Sequence, residues 1–116
     1  MATASDNIQI AIGGSALNVT SGKKGFEYPT MRGRAWRLKA ASGVSGVQAT
    51  IYAGDRSVAV NRNIPFGGTA TAPTYPSWND QEVDRGILYP GEALRLDFTN
   101  ASGVLVNVVW EVQAYP

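Results

Sequence analysis

The residues best suited to chemistry form one acidic cluster, Asp80, Glu82 and Asp84. Two carboxylates held at the right separation hydrolyse glycosides, and carboxylates at alternate positions also open calcium-binding loops. The EF-hand pattern is incomplete here, because no Gly occupies its sixth position and no Glu its twelfth. We interpret the cluster as a solvated acidic loop, with cation binding as the alternative.

The sequence offers little support for other kinds of catalytic site. The 116 residues include no Cys and no His, which excludes thiolate and imidazole metal sites and every nucleophile that uses His as its base. Lys23 and Lys24 follow Ser21, but this glycine-flanked loop contains nothing to desolvate an amine for Ser–Lys catalysis. We therefore expect no enzymatic activity, no cofactor and no small-molecule substrate.

Positive charge is concentrated in residues 23–39, here called the basic segment, although the net charge of the chain is only +1. Its positive side chains are Lys23, Lys24, Arg32, Arg34, Arg37 and Lys39, opposed by a single acid, Glu27. Nucleic-acid binding would require exposed aromatic residues among them, and the alternation of the segment places Trp36 in the core instead. The segment is interpreted either as a solvated strand face or as the electrostatic half of a protein–protein contact.

Three aromatic residues, Tyr75, Trp78 and Tyr89, lie in or beside a proline-rich stretch. Simple packing of that stretch onto the domain is one interpretation. Tyr75 and Trp78 are also candidate anchors of a protein interface, where Tyr and Trp are enriched. A third interpretation is a sugar site, in which the rings stack on the sugar while Asn79 and Asp80 bind its hydroxyl groups.

The elements that must position these side chains are predicted to be β-strands. Thirteen Gly and six Pro leave no run longer than 12 residues free of both, and these runs show a period of two. Seven or eight short antiparallel strands favour an all-β, single-domain, two-sheet β-sandwich of jelly-roll type. We expect a flexible N-terminal arm at residues 1–7 and the sandwich at 8–116, with a long irregular loop at 61–91.

Local patterns predict two hairpins and one helical turn. Alternating apolar residues on either side of a tight turn predict a hairpin over Val47–Val60. A second hairpin is predicted over Leu94–Ala114, with Gly103 in the left-handed position of its turn. Within the irregular loop, Ser77 is predicted to cap a single helical turn that ends at Gly86.

The last strand, Val104–Ala114, is apolar on both faces over its first half. A strand of this kind is covered on both sides, as in the centre of a sheet or in an oligomer contact. We therefore expect it either to be a central strand or to form the self-contact of a dimer or trimer.

In size, in its lack of Cys and His, in its Gly/Ala/Ser/Val-rich composition and in its start Met1–Asn7, the chain resembles the small all-β proteins that decorate or cement bacteriophage capsids. The segment Tyr89–Asn100, followed by the apolar strand Val104–Ala114, adds to the likeness. The resemblance implies a structural virion protein without catalytic residues. Such a protein binds the major capsid protein on the outer surface of the head, bridges its subunits and stabilises the shell.

The expected partner surface comprises the six positive residues of the basic segment together with Tyr75 and Trp78. The expected location is the outer surface of the virion capsid, after synthesis in the host cytoplasm, and the expected assembly is a homo-oligomer. Since the sequence shows neither a secretory signal nor an apolar stretch of ~20 residues, we expect no membrane partner. The alternatives are a non-catalytic carbohydrate-binding β-sandwich module and a phage tail or fibre component.

Overall fold

The structure is a computed structural model that describes residues 2–26, 29 and 31–115, and these residues contain ten β-strands and no helix. The predicted all-β class is confirmed. Accordingly, no described residue belongs to a helix of the length and apolar character needed to cross a bilayer. The strands are β1 (Ala2–Ile10), β2 (Ser15–Ala16), β3 (Arg34–Ser42), β4 (Val47–Ala53), β5 (Arg56–Asn63), β6 (Gly68–Thr69), β7 (Ala72–Pro73), β8 (Glu82–Leu88), β9 (Leu94–Asn100) and β10 (Val106–Tyr115).

The strands form two four-stranded antiparallel sheets and one small hairpin. Sheet I has the order β1-β10-β3-β8, sheet II has the order β2-β9-β4-β5, and β6 pairs with β7. Apart from β4 and β5, which pair within sheet II, any two consecutive strands of the large sheets lie in different sheets. The chain therefore repeatedly crosses from one sheet to the other, and both sheets contribute to one core.

That core is built from the alternating apolar residues of the central strands. Trp36 of β3 and Trp110 of β10 are almost completely buried, and Phe98 of β9 joins them in the same cluster. The predicted inward position of Trp36 is confirmed. The other large side chains that are fully buried include Leu38, Ile51, Leu96, Val47, Val106, Val108 and Val112.

One of the two predicted hairpins is present and the other is wrong. β4 pairs with β5 around Gly54, whose φ of 62° suits a tight turn, so the first hairpin is confirmed. β9 and β10 are both strands, but β9 pairs with β4 and β2 whereas β10 pairs with β1 and β3. Gly103 has the expected positive φ of 83°, yet its turn leads the chain from sheet II to sheet I. Alternation identifies a strand but does not identify its partner.

A buried side chain explains why the chain changes sheet at this turn. Asn100 ends β9 and is fully buried, and its side-chain nitrogen donates to the carbonyl oxygens of Ile10, Ala11 and Val104 at 3.2, 3.2 and 2.6 Å. Its side-chain oxygen accepts from the backbone N–H of Ser102 at 3.0 Å. Because these partners are the last residue of β1, the residue after it and a residue just before β10, one amide holds sheet II to sheet I.

The flexible arm predicted at residues 1–7 is wrong for the residues that the structure describes there. Residues 2–7 belong to β1, which pairs with β10 along its whole length, from Ala2 opposite Ala114 to Ile10 opposite Val106. Ala4 is buried against the core. The small and polar residues of this stretch suggested mobility, but pairing with a long central strand supplies the hydrogen bonds and burial that order it.

The irregular loop predicted at 61–91 is much shorter than expected. β5 continues to Asn63 and β8 begins at Glu82, so the connection between them spans residues 64–81 and contains the β6–β7 hairpin. We call residues 64–81 the covering loop. Ser77 caps one turn as predicted, since its hydroxyl accepts from the Asp80 N–H, but the turn ends at once in β8. Gly86 lies within β8, where an added Cβ would come 2.9 Å from the Trp36 ring.

Candidate interaction surface

The covering loop brings together two groups of residues that are far apart in sequence. On β3, Trp36 and Leu38 point into the core, so Arg37 and Lys39 point to the outer face of sheet I. The covering loop crosses this face on its way to β8 and places Trp78 over Arg37. Half of the predicted contact residues, two from the basic segment and two from the proline-rich stretch, therefore form one cluster.

Arg37 is held from two sides. Its guanidinium carbon lies 3.9 Å from the centre of the Trp78 ring, which is a close cation–π stack. Its Nε and Nη2 donate to the Gln113 side-chain oxygen at 3.3 and 3.0 Å. The Tyr115 hydroxyl donates to the same oxygen at 2.5 Å. One face of Trp78 is therefore occupied by a side chain of the protein itself.

Lys39 is a buried charge, with 7% of its surface exposed. Its Nζ lies 3.6 Å from the Glu111 carboxylate and within 5.0 Å of the centres of both the Tyr75 and Trp78 rings. A buried cation is stable only when a counter-charge and polarisable groups replace its hydration shell. Glu111 and the two rings supply that replacement, so Lys39 anchors the covering loop and is not available to an external partner.

Tyr75 closes the same cluster from the loop side. Its hydroxyl donates to the Glu111 carboxylate at 2.5 Å. This hydrogen bond and partial burial raise the pKa of Tyr75 above its usual value, because ionisation would put two negative charges side by side. The ring is nevertheless exposed at the surface. Tyr75 thus remains a candidate anchor through its ring, while its hydroxyl belongs to the fold.

The acidic cluster of the sequence is dispersed by the alternation of β8. Glu82 lies on the outer face of sheet I, where Arg85 contacts it at 2.6 Å and lowers the pKa of the Glu82 carboxyl. Asp84 faces Arg62 of β5 at 3.7 Å, and Asp80 is exposed in the covering loop. Within the described parts of the chain, no three metal-ligating side chains come together in a way that could hold an ion.

The other four predicted residues of the basic segment lie away from this cluster, at the end of the molecule where β3 begins. Lys23 forms an ion pair with Asp6 of β1 at 2.9 Å and lowers the pKa of that carboxyl. Arg34 donates to the Gly25 carbonyl oxygen at 3.2 Å. Lys24 and Arg32 are exposed. The basic segment is therefore two surfaces, an exposed group here and a covered pair at Arg37 and Lys39.

An open cleft of about 770 Å³ lies at this same end. Its walls come from the segment after β2, the β4–β5 turn and the turn before β9. The Arg56–Glu92 ion pair, at 2.9 Å, lies in its lining. Arg56 lowers the pKa of Glu92 and also donates to the Ile87 carbonyl oxygen at 3.0 Å. The central charges of the cleft are thus already paired within the chain.

Sequence reasoning missed the residues that complete the covered cluster. Glu111, Gln113 and Tyr115 were not among the predicted contact residues. Their register opposite Lys39, Arg37 and Ala35 puts them beside the basic side chains. Alternation of charged and polar residues along two strands is the signal that could have found them, once the pairing of β3 with β10 was known.

The comparisons with known proteins do not assign this cluster. No protein-family model matches the sequence, no curated protein matches it, and no solved structure matches the fold.

Proposed function

We propose that this protein is a structural virion protein, a cement or decoration subunit that binds the outer surface of an assembled phage head. In this role it bridges neighbouring subunits of the major capsid protein and needs no catalysis. Binding only to the assembled shell stabilises that shell by mass action, because the dissociated subunits offer no equivalent site. Location on the virion surface follows from the same proposal.

The observation that carries the proposal is the strand order. We interpret sheets I and II as the two layers of a sandwich, because both contribute to one core and Asn100 of β9 is hydrogen-bonded to Ile10 of β1. The order of sheet I is β1-β10-β3-β8 and that of sheet II is β2-β9-β4-β5. Position by position, β1 therefore corresponds to β2, β10 to β9, β3 to β4 and β8 to β5, and each of these pairs is adjacent in the chain or separated only by the small β6–β7 hairpin. This order supports a rolled-up double Greek key, or jelly roll, an architecture that recurs in viral capsid and lectin domains.

The outer surface supports adhesion more than recognition of a small ligand. The covered cluster uses Arg37, Lys39 and Glu111 to hold the covering loop against sheet I. The exposed parts of this surface include the ring of Tyr75 and the cation Lys24. An exposed tyrosine ring fits a protein partner, for which aromatic side chains are usual anchors.

Sedimentation with capsids tests the proposal. Purified protein is incubated with expanded empty phage heads, the heads are pelleted, and bound protein is measured against its concentration. We expect saturable binding with a fixed number of copies per head. A protein that stays in the supernatant at every salt concentration is not a cement subunit.

A carbohydrate-binding module remains the second candidate, because jelly rolls also serve as lectin domains and because the Tyr75 ring, Asn79 and Asp80 are exposed on one loop. The stack of Arg37 on Trp78 reduces the area that a sugar could cover. A glycan array separates the two candidates. Saturable binding that is lost in Trp78→Ala would favour the sugar-binding function.

A homo-oligomer, dimer or trimer, is part of the proposal, but its surface needs revision. The stretch Val104–Val109 was its candidate, and β10 is now seen to be a central strand of sheet I. Val109 is buried on the outer face, on the side where the covering loop lies, while Val104 and Leu105 are exposed before β10 begins. A self-contact would therefore use only the first two residues of this stretch.

A further inference from the structure

Charge is distributed very unevenly between the two ends of the molecule. The ten basic and nine acidic residues all lie outside four stretches of the chain, namely residues 7–22, 40–54, 63–79 and 98–110. The strand registers bring parts of all four stretches to one end. Ile10 lies opposite Val106 and Ser42 opposite Val108, while Val47 lies opposite Asn100. The connections 11–14, 43–46, 64–73 and 101–105 therefore share this end, which we call the uncharged end.

The uncharged end exposes large apolar side chains. Ile12 is 67% exposed and Phe66 is 63% exposed, and Val104 and Leu105 are exposed beside them. Asn100 ties the carbonyl oxygens of Ala11 and Val104 to one side chain, so Ile12 and Leu105 belong to neighbouring turns. Clustered apolar residues that remain exposed on a folded domain indicate an interaction site, whereas single ones do not.

The backbone of the uncharged end is rigidly tied. The Asn100 N–H donates to the Gly14 carbonyl oxygen, and the Ala101 N–H donates to the Gly46 carbonyl oxygen, each at 2.9 Å. The Asn107 N–H donates to the Ala70 carbonyl oxygen at 2.8 Å. All four connections are thus bound to their neighbours by backbone hydrogen bonds. A surface that is already ordered loses little conformational entropy when it binds.

We propose that the uncharged end is the surface that inserts into the capsid, and that its site there is an uncharged, apolar depression of the assembled shell. This inference rests on the proposed function and changes the contact surface from the basic segment to the opposite end. An end without charge gains nothing from a charged partner, while burying a charged partner surface against it would leave charges unpaired.

The size of the end argues against a second copy of this chain as the occupant. The molecule measures 40 × 26 × 21 Å. At about 3.3 Å per residue, the ten residues of β10 span about 30 Å, which exceeds the two shorter dimensions, so we infer that the strands run mainly along the longest one. A cross-section of 26 by 21 Å offers roughly 500 Å², which is less than the ~800 Å² per partner of a stable interface. End-to-end pairing would therefore be weak. A small end inserted into a concave site buries its sides as well, and many copies on one shell need only modest affinity each.

The test compares substitutions at the two ends in the same head-sedimentation experiment. Ile12→Glu combined with Leu105→Glu puts two charges on the uncharged end, and both positions are exposed, so the fold is retained. The matched control is Val60→Glu, because Val60 is an aliphatic residue that is 63% exposed on β5. Lys24→Glu probes the basic segment. Circular dichroism and thermal unfolding confirm that every variant is folded.

We expect the double variant to bind heads roughly tenfold more weakly or worse, because its charges would be buried without partners. Val60→Glu and Lys24→Glu should bind within about twofold of the parent protein, and binding should persist at about 1 M NaCl, where charge interactions are screened. If the parent protein binds but the double variant binds equally well, the uncharged end is not the contact and only this inference fails. If the parent protein does not bind at all, the proposed function fails with it.

Two further outcomes would identify another occupant. A parent protein that is dimeric or trimeric in sedimentation velocity, and monomeric after Ile12→Glu with Leu105→Glu, would show that a second copy occupies the end. Co-sedimentation with vesicles of neutral phosphatidylcholine, lost in the same variant, would show that a lipid surface does. Either result would overturn the assignment to the capsid.

Discussion

Backbone hydrogen bonds hold the connections at both ends of this molecule, for example Gly54 N–H to the Ala93 carbonyl oxygen at one end, but the two ends differ in the side-chain interactions that add to them. At the uncharged end the connections are bound to one another by backbone hydrogen bonds and by the buried amide of Asn100. At the opposite end, called here the charged end, lie residues 17–26 and 31–33 and the connections 54–55 and 89–93. Side-chain ion pairs such as Lys23–Asp6 and Arg56–Glu92 support this end. The uncharged end is therefore held by hydrogen bonds that include a buried side chain, whereas the charged end also depends on ion pairs at its exposed surface.

Because of this difference, salt and acid should affect the structure of the charged end more than that of the uncharged end. Exposed ion pairs contribute little to folding and weaken with salt and with acid, whereas buried amide hydrogen bonds respond to neither. The uncharged end should keep its shape over a wide range of conditions. That is the property expected of a contact surface that must fit one site, while the charged end can vary in sequence at little cost in stability.

The largest expected effect comes from backbone packing at the uncharged end. An added Cβ at Gly43 would lie 1.6 Å from the Thr69 carbonyl oxygen, so Gly43→Ala must displace the β6–β7 hairpin. We expect a loss of about 3 kcal/mol in the free energy of unfolding, measured by urea denaturation.

Gly91→Ala provides the control at the charged end. Gly91 has a φ of 87° and no atom within 4 Å of an added Cβ, so only backbone strain opposes the substitution. That strain amounts to about 1–2 kcal/mol. If Gly43→Ala proves no more destabilising than Gly91→Ala, the close packing of the uncharged end is wrong.

A smaller but still large effect is expected at Asn100. Asn100→Ala removes the donor to three carbonyl oxygens and the acceptor for Ser102, and it leaves several of these groups buried without partners. We expect a loss of about 2 kcal/mol in unfolding free energy. Thr20→Val is the comparison at the charged end, since the buried Thr20 hydroxyl donates one hydrogen bond to the Leu94 carbonyl oxygen at 2.9 Å. It should cost about 1 kcal/mol, and equal losses at the two sites would remove the contrast between the ends.

Much of the fold could be predicted from the sequence, because strand alternation is a local property. The inward position of Trp36, the β4–β5 hairpin and the left-handed Gly103 all follow from spacing or from residue type. Strand partners are not local. The mispairing of β9 with β10 and the expected arm at residues 1–7 were both wrong because a partner strand lay far away in sequence.

The candidate surfaces, too, depend on contacts between residues that are far apart in sequence. Arg37 and Trp78 were both singled out by type, but 41 positions separate them, and only the path of the covering loop shows that they stack. The uncharged end could have been recognised as four charge-free stretches of sequence. Their meeting at one end, however, depends on the strand registers, which side-chain patterns do not specify.

A moderate effect is expected for the stack between the basic segment and the covering loop. In a double-mutant cycle, Arg37→Gln and Trp78→Leu should show a coupling of about 0.5–1.5 kcal/mol in unfolding free energy, because their contact at 3.9 Å is partly desolvated. Arg95→Gln with Trp78→Leu is the matched pair, since Arg95 stacks on Tyr52 of sheet II instead. Coupling of similar size in both pairs would mean that the cycle reports charge in general and not this stack.

The smallest expected effect is a loosening of the charged end in acid. The pKa values of Asp6 and Glu92 are lowered in the folded state, chiefly by hydrogen bonds from Lys23 and Arg56. A carboxyl with a lowered folded pKa stabilises the fold above its unfolded pKa, here 3.8 for Asp6 and 4.5 for Glu92, and that contribution is lost as the pH falls through the folded pKa. Hydrogen-exchange protection factors at about pH 6 and pH 3 measure the change.

Protection should fall at residues 89–93 and near Lys23 while residues 43–46 and 101–105 keep theirs, because no carboxyl lies within the uncharged end. Glu92→Gln should abolish the acid response around residues 89–93 and leave the response near Lys23 intact, since the two ion pairs share no residue. Loss of protection at both ends together would show that acid acts on the whole fold. The two ends would then be one cooperative unit, and the rigidity assigned to the uncharged end would no longer distinguish it.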